Sequence, residues 1–368
     1  MKKRFLGVLL SVAMVAAVLA GCGSSSAKET AAPAGSETEA ASEAASGETE
    51  AAGNTGDVIT VGFSQVGAES DWRTANSESM KSTFSTENGY NLIFDDAQQK
   101  QENQIAAIRN FIQQEVDYIV LAPVTESGWD TVLQEAKDAE IPVIIVDRMV
   151  DVSDDSLYTA WVGSNFKLEG QKACEWLKQY AAAKNMSEVN IVDIQGTIGA
   201  SAQIGRTEAL NEAVQANGWN LLAQQTGEFT QAKGQEVMES MLKQYDNINV
   251  VYCENDNEAF GAIEAIKAAG KTVGPDGDIL VMSFDTTTQG ITDTLSGDII
   301  VNTECNPLHG PRVEQIIKQL QAGETPEKQA YVEEGIYAHG SDVASVSIDG
   351  TDYEVTEVTQ DVVDARAY

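Results

Sequence analysis

One pattern constrains this chain more than any other: from residue 58 onward, short apolar runs alternate with longer amphipathic stretches, and the alternation is carried through twice. The first series runs VITVGFS (58–64), YNLIFDD (90–96), DYIVLAP (117–123), PVIIVDR (142–148) and YTAWVGS (158–164). The second runs VNIVDIQ (189–195), WNLLAQQ (219–225), INVVYCEND (248–256), DILVMSFD (278–285) and IIVNTEC (299–305). Between them lie stretches of helical period. QENQIAAIRNFIQQE (101–115) puts Ile105, Ile108, Phe111 and Ile112 on one stripe, and GWDTVLQEAKDAE (128–140), ASAQIGRTEALNEAVQANG (200–218), KGQEVMESMLKQY (233–245) and EAFGAIEAIKAAG (258–270) follow suit. Strand–helix–strand units of this kind build parallel sheets covered on both faces. The expected class is therefore α/β, with two doubly wound parallel-sheet lobes joined by a hinge.

In open parallel sheets, ligands gather beyond the carboxyl ends of the strands. Two such lobes face each other across a cleft, which makes the residues just after each apolar run the candidates: Ser64, Gln65, Asp95, Asp96, Asp147, Arg148, Gln195, Asn255, Asp256, Asp285 and Glu304. The stretch GAESDWR (67–73) stands where the first strand hands over to a helix and adds Glu69, Trp72 and Arg73. Such a set mixes donors with acceptors and suits a neutral, hydroxyl-rich ligand, because charge-assisted bonds from an Arg fork and a carboxylate serve adjacent hydroxyls. Replacing Arg73 by Ala is expected to weaken binding while leaving the stability of the free protein nearly unchanged. Competing readings stay open: Asp147 and Arg148 as a structural ion pair at a strand end, and Asn255 as the cap of the helix that begins EAFGAI.

The ends of the chain carry a different message. Lys2, Lys3 and Arg4 precede an apolar run that stops at small residues, the layout of a secretory signal over residues 1–21. LAGC (19–22) resembles the lipobox of bacterial lipoproteins, which makes Cys22 the expected lipid anchor and the membrane a partner through it. Residues 23–57 contain no aromatic and no branched aliphatic residue, so they are expected to form a disordered tether. The formal charge of −34 becomes −37 once the three cationic signal residues are removed, which excludes nucleic acid as a natural partner. Cys174, Cys253 and Cys305 are odd in number and far apart, and His309 and His339 are the only histidines. Neither a disulfide framework nor a metal site nor a Ser-His-Asp triad is expected; the cysteines read as small buried hydrophobes and the histidines as surface or packing residues.

With IPVIIVDR, DIQGTIGAS, GQEVMESML, CENDNEAFGAI and SFDTTTQG in order, residues 58–330 resemble the sugar-binding proteins of bacterial ABC importers, the ribose-binding-like group of periplasmic binding proteins type 1. FSQVGAESDWRTA, DAQQKQENQIAAIRNFI and APVTESGWDTVLQEAKDAEIPVIIVDR look most like the galactofuranose-binding subgroup. The resemblance implies that Asp147 and Arg148 hold ring hydroxyls from the first lobe, that Arg206 is the second-lobe arginine, and that Asn255 and Asp285 supply further polar contacts. Phe229 falls where an aromatic lines the cleft, with core packing as its alternative, and Glu304 or Asn306 falls where the group carries a polar residue near the hinge. The implied boundaries are 58–162 for the N-terminal lobe, 163–304 for the C-terminal lobe, 305–335 for a return to the first lobe and 336–368 for a C-terminal extension. Hinges are expected near 162–166, 284–290 and 304–308, with a monosaccharide as ligand, an ABC importer permease as partner, a monomeric state and no cofactor.

Three other readings are weaker. Abundant carboxylates suit a glycoside-processing enzyme, but a polar cleft between two equivalent lobes is explained by closure on a ligand. QGTIGAS lacks the G-x-G-x-x-G spacing of a dinucleotide site, and the acidic charge opposes a DNA-binding regulator. A sugar-sensing lipoprotein reporting to a membrane kinase or chemoreceptor shares every feature named above with an importer component.

Overall fold

The computed structural model describes residues 58–368; the expected signal sequence, the anchor at Cys22 and the tether of 23–57 lie outside the described residues. Each apolar run of the first series becomes a strand: β1 (Ile59–Gln65), β2 (Tyr90–Asp96), β3 (Tyr118–Leu121), β4 (Val143–Val146) and β5 (Ala160–Gly163). They pair in parallel in the order β2-β1-β3-β4-β5. The second series repeats that order as β7-β6-β8-β9-β10, also parallel, from β6 (Asn190–Gln195), β7 (Asn220–Thr226), β8 (Val250–Cys253), β9 (Leu280–Asp285) and β10 (Val301–Glu304).

Why the runs are continuously apolar follows from their covering. In the first lobe, helix α1 (Asp71–Thr83) brings Met80 to one face of the sheet, against Phe63, Val120 and Ile144, with Phe84 just beyond its end. Helix α2 (Gln101–Gln113) covers the other face with Ile108 and Phe111, joined by Trp129 and Leu133 at helix α3 (Asp130–Asp138). The second lobe is covered by α4 (Phe166–Ala183) and α5 (Ser201–Asn217) on one face, and by α6 (Gln231–Gln244) and α7 (Asp256–Ala268) on the other. Strands buried on both faces have no solvent side on which to alternate.

The chain passes between the two sheets three times. It leaves the first after Gly163 and enters α4. After Glu304 it returns through α9 (Gly310–Gln321), which packs beside α1, and β11 (Gln329–Tyr331), which extends the first sheet next to β5. Residues 332–335 then lead to β12 (Ile336–Ala338), antiparallel to β10, with β13 (Ser345–Ile348), β14 (Thr351–Glu357) and the short α10 (Gln360–Asp364) completing the second lobe. The segment 284–290, expected as a hinge, is not a crossing. It joins β9 to α8 (Thr288–Ser296) inside the second lobe, where the buried Asp256 carboxylate accepts from Thr287 N at 2.8 Å and from Ser283 Oγ at 2.7 Å. The third crossing is 332–335 instead. Among the described residues no helix is long and apolar enough to cross a membrane.

Candidate functional site

The first wall of the cleft is made at the β1–α1 junction. Ser70 caps α1 by accepting from Arg73 N at 3.1 Å, and Asp71 complements the positive helix start. One helical turn then sets Glu69 against Arg73, whose Nε donates to Glu69 Oε1 at 3.0 Å. From the end of β4, Asp147 brings Oδ2 within 2.8 Å of Arg73 Nη2, and Gln65 Oε1 accepts from Nη1 at 3.2 Å. Arg148 donates from Nη1 to Val124 O at 3.0 Å and stands 3.7 Å from Glu69 and 3.9 Å from Asp147. Two arginines thus share two carboxylates in a buried quartet. Burial, then the Arg73 charge, pulls Arg148 down to about 10. At Arg73 burial also opposes the charge, but Asp147 and Glu69 outweigh it and hold the guanidinium above the ordinary arginine range.

The second wall is organised around Arg206 of α5. Its Nε and Nη2 both lie 2.8 Å from Glu169 Oε2, its Nη1 donates to the Glu254 carbonyl, and Nη2 is 3.5 Å from Asp285 Oδ1. Burial pushes the Asp285 carboxyl well up against the opposing pull of Arg206. Asn255 does two jobs, because it caps α7 by accepting from Glu258 N at 2.9 Å and also lines the cavity. Its Nδ2 donates to Phe229 O at 3.2 Å, which fixes the Phe229 backbone. Asp147, Phe229 and Asp285 adopt φ angles of 63°, 60° and 101°, a left-handed region that ordinary residues avoid and that concentrates at functional sites.

An apolar floor joins the two walls: Trp72, Phe166, Ala200, Ala202, Phe229 and Cys305 form one cluster drawn from both lobes and a crossing segment. Trp72 Nε1 donates to Cys305 O at 2.6 Å, and Arg148 lies over the Phe229 ring at 5.0 Å. Gly196, in the QGTIGAS turn, has no room for a Cβ because it would overlap the Phe229 ring. The turn is a tight connection that lets an aromatic reach the cleft. Between the two walls lies one small, predominantly polar cavity of about 20 Å³.

The lobes are closed on each other at the rim. Asp71 N donates to Asn257 Oδ1 at 3.0 Å, Met149 N to Ser201 Oγ at 2.9 Å and Glu126 N to Gly199 O at 2.9 Å, each bond running from the first lobe to the second. Inside, Glu69 Oε2, Asp147 Oδ2 and Arg206 Nη2 are buried without a hydrogen bond in the protein. For the last two, the ion-pair contacts at 2.8 Å balance charge without hydrogen-bond geometry, so directional capacity is left over.

Nine of the residues expected from sequence line this cavity: Glu69, Trp72, Arg73, Asp147, Arg148, Arg206, Phe229, Asn255 and Asp285. Three do not. Gln65 stands behind Arg73 with its amide on Asn76 Oδ1 at 2.8 Å. Glu304 turns away and accepts from Gly335 N, Arg366 Nη1 and Tyr368 Oη at 2.9, 3.0 and 2.8 Å, while Asn306 Oδ1 caps Leu308 N at 2.9 Å. Both lie on the side of the crossing that faces the C-terminal segment. Among the other strand-end residues, Gln195 is taken up by Thr207 and Asp256 by Ser283, Thr287 and Asn302. Sequence reasoning passed over Ser70, Phe166, Ala202 and Cys305. Phe166 carried a usable signal, since it opens the helix that follows the first crossing.

Two lobes of one topology closed over a polar cavity at their switch points define a two-lobed solute-binding architecture. The family profile described as periplasmic binding protein domain matches residues 61–303. The chain belongs to that family. It is 42% identical over 284 residues to the galactofuranose-binding protein YtfQ of Escherichia coli strain K12, covering 76% of this chain and 87% of that protein. A structure from Mycobacterium smegmatis in complex with β-D-fucofuranose matches with a TM-score of 0.73 and 44% identity over 76% of this chain and 91% of that one. The binding component of the arabinose ABC transporter from Shewanella sp. ANA-3, bound to α- and β-L-arabinofuranose, matches with a TM-score of 0.71 and 42% identity over 76% and 92%. These relatives are binding proteins and not enzymes.

Proposed function

We propose that this chain is a lipid-anchored extracytoplasmic binding protein that captures a monosaccharide in its furanose form between its lobes and delivers it to an ABC sugar importer. One observation carries the reading. Both lobes present buried charged groups with unspent hydrogen-bonding capacity to one cavity between them, beside the aromatic faces of Trp72, Phe166 and Phe229. Adjacent sugar hydroxyls donate to Asp147 and Glu69 and accept from Arg206, and the apolar ring face rests on the aromatics. The furanose preference rests on the ligands named for the relatives, and the anchor rests on LAGC at 19–22.

Thermal unfolding with D-galactose, D-fucose, L-arabinose, D-ribose and D-fructose tests the reading. A ligand at about one hundred times its Kd adds about 2.7 kcal/mol of stability, and small-angle scattering should show compaction with the same sugar. Absence of both responses across the panel sinks the proposal. Cys22→Ala should abolish incorporation of labelled palmitate and release the protein from membranes.

A further inference from the structure

Behind Arg206, and outside the cavity, the three crossings meet on a single side chain. Glu334, in the third crossing, accepts through Oε1 from Ser164 Oγ of the first at 2.6 Å and from Asn306 N of the second at 2.7 Å. Ser164 Oγ also touches Cys305 Sγ at 3.3 Å. Carboxyl oxygens of Glu334 and Glu169 and the Cys305 sulfur all lie within 4.8 Å of one another. Glu169 in turn is the carboxylate on which Arg206 rests, and its Oε1 is buried with no hydrogen bond in the protein. One chain of contacts therefore runs from the cavity through Arg206 and Glu169 to Glu334 and every strand of the hinge.

We propose that Glu334 is the positioning residue of the hinge and that it shares one proton with Glu169, so that the orientation of Arg206 and the closed arrangement of the three crossings depend on the same protonation state. Charge balance supports a proton there. The groups facing the pair are Arg206 from α5, Lys172 from α4, Glu304 from the end of β10, Cys305 from the second crossing, and Asp285 from β9. Arg206 is already matched by Glu169 and Asp285, and Glu304 by Arg366. Lys172 Nζ donates at 2.9 Å to the Glu334 backbone carbonyl and leaves the carboxyl unpaired. Burial pushes both carboxyls up, and two carboxylates this close in a dry site do not both ionise. Because these groups are raised, the stability they contribute is fully present in acid and is lost as pH rises through their folded range.

The experiment compares wild type, Glu334→Gln and Glu334→Ala by thermal unfolding without sugar across roughly pH 5 to 8, and by titration with whichever panel sugar binds. Gln keeps the acceptor for Ser164 and Asn306 and donates its own N–H to Glu169, so no shared proton is needed. It should match wild type in acid, gain on it steadily as pH rises, and bind sugar with a flat pH profile. Ala removes the clasp and should weaken affinity about tenfold or more at every pH. Glu169→Gln should flatten the same slope while also weakening binding through Arg206. An unchanged pH slope in Glu334→Gln, or wild-type affinity in Glu334→Ala, overturns the proposal. The titration arm rests on the sugar-binding reading and the melting arm does not; if no sugar binds, that reading fails and the melting slope still decides this one.

Discussion

The two walls of the cleft do the same work with different wiring. In the first lobe, both arginines and both carboxylates are local: Glu69 and Arg73 are one helical turn apart, and Asp147 and Arg148 are neighbours at one strand end. Arg148 stands 3.7 Å from Glu69 and 3.9 Å from Asp147, so each carboxylate sees two cations. The second wall places one cation at the cavity, Arg206, matched by Glu169 from a different helix and by Asp285 from a strand end. The first wall is redundant and the second is not, which teaches where the molecule should break.

The largest effect is expected at Arg206. Replacing it by Ala leaves Glu169 and Asp285 buried without their guanidinium, and losing one member of a buried pair costs about 3–5 kcal/mol. Chemical denaturation of the sugar-free protein measures this, and binding should be lost in parallel. Arg73→Ala should cost less, about 1.5–3 kcal/mol, because Arg148 remains within reach of both carboxylates. A larger loss for Arg73→Ala than for Arg206→Ala would refute the redundancy. This corrects the sequence-based expectation that Arg73→Ala spares stability. That expectation treated Arg73 as a rim donor, whereas its side chain is 2% exposed and engages Glu69, Asp147 and Gln65.

The same contrast extends to pH. Behind the first wall, His309 is buried against Trp72, with ring centroids 5.9 Å apart, and its Nδ1 lies 2.9 Å from Asn76 Nδ2, an amide donor that requires the ring nitrogen bare. Burial lowers His309 from 6.5 to about 4. A depressed histidine contributes stability that is present above its unfolded value and is lost as pH falls through its folded value. Near pH 5 the loss should be on the order of 2 kcal/mol, and His309→Gln should flatten that acid limb in a plot of unfolding free energy against pH. Behind the second wall the buried groups are carboxyls, Glu258 and Glu254 among them, pushed up first by burial. Their contribution has the opposite sign and fades as pH rises, so the acid limb belongs to the first wall and the alkaline limb to the second. An acid limb unchanged in His309→Gln would remove this assignment.

What the sequence disclosed follows the same division. Period and strand-end position located the first wall almost entirely, because its partners are neighbours in the chain: Glu69 with Arg73, Asp147 with Arg148. The second wall was legible only in part. Arg206, Asn255 and Asp285 stand at predictable ends, but Glu169 lies 37 residues from Arg206 and sits in the first turn of α4, where a Glu reads as an ordinary solvated complement to the helix start. Glu334 was illegible for a stronger reason. Its role exists only where three segments distant in sequence converge, and no local pattern marks such a point. Glu304 and Asn306 failed in the opposite way, since their position at a strand end is right but the crossing rotates them away from the cleft and toward Arg366 and Leu308.

The smallest effect is the most informative about closure. Ser201 Oγ accepts from Met149 N across the rim, and nothing else in the second lobe takes that N–H. If the free protein opens, this bond forms only on closure, and Ser201→Ala should leave the sugar-free melting temperature unchanged while costing about 1 kcal/mol of binding, a several-fold rise in Kd. Asn257→Ala, which removes the acceptor for Asp71 N, should behave alike. The two losses should add, since the bonds tie different loops of the rim. A fall in sugar-free stability as large as the fall in affinity would mean that the rim bonds already exist without ligand. Closure would then be a property of the free protein, and discrimination would rest on the two walls alone.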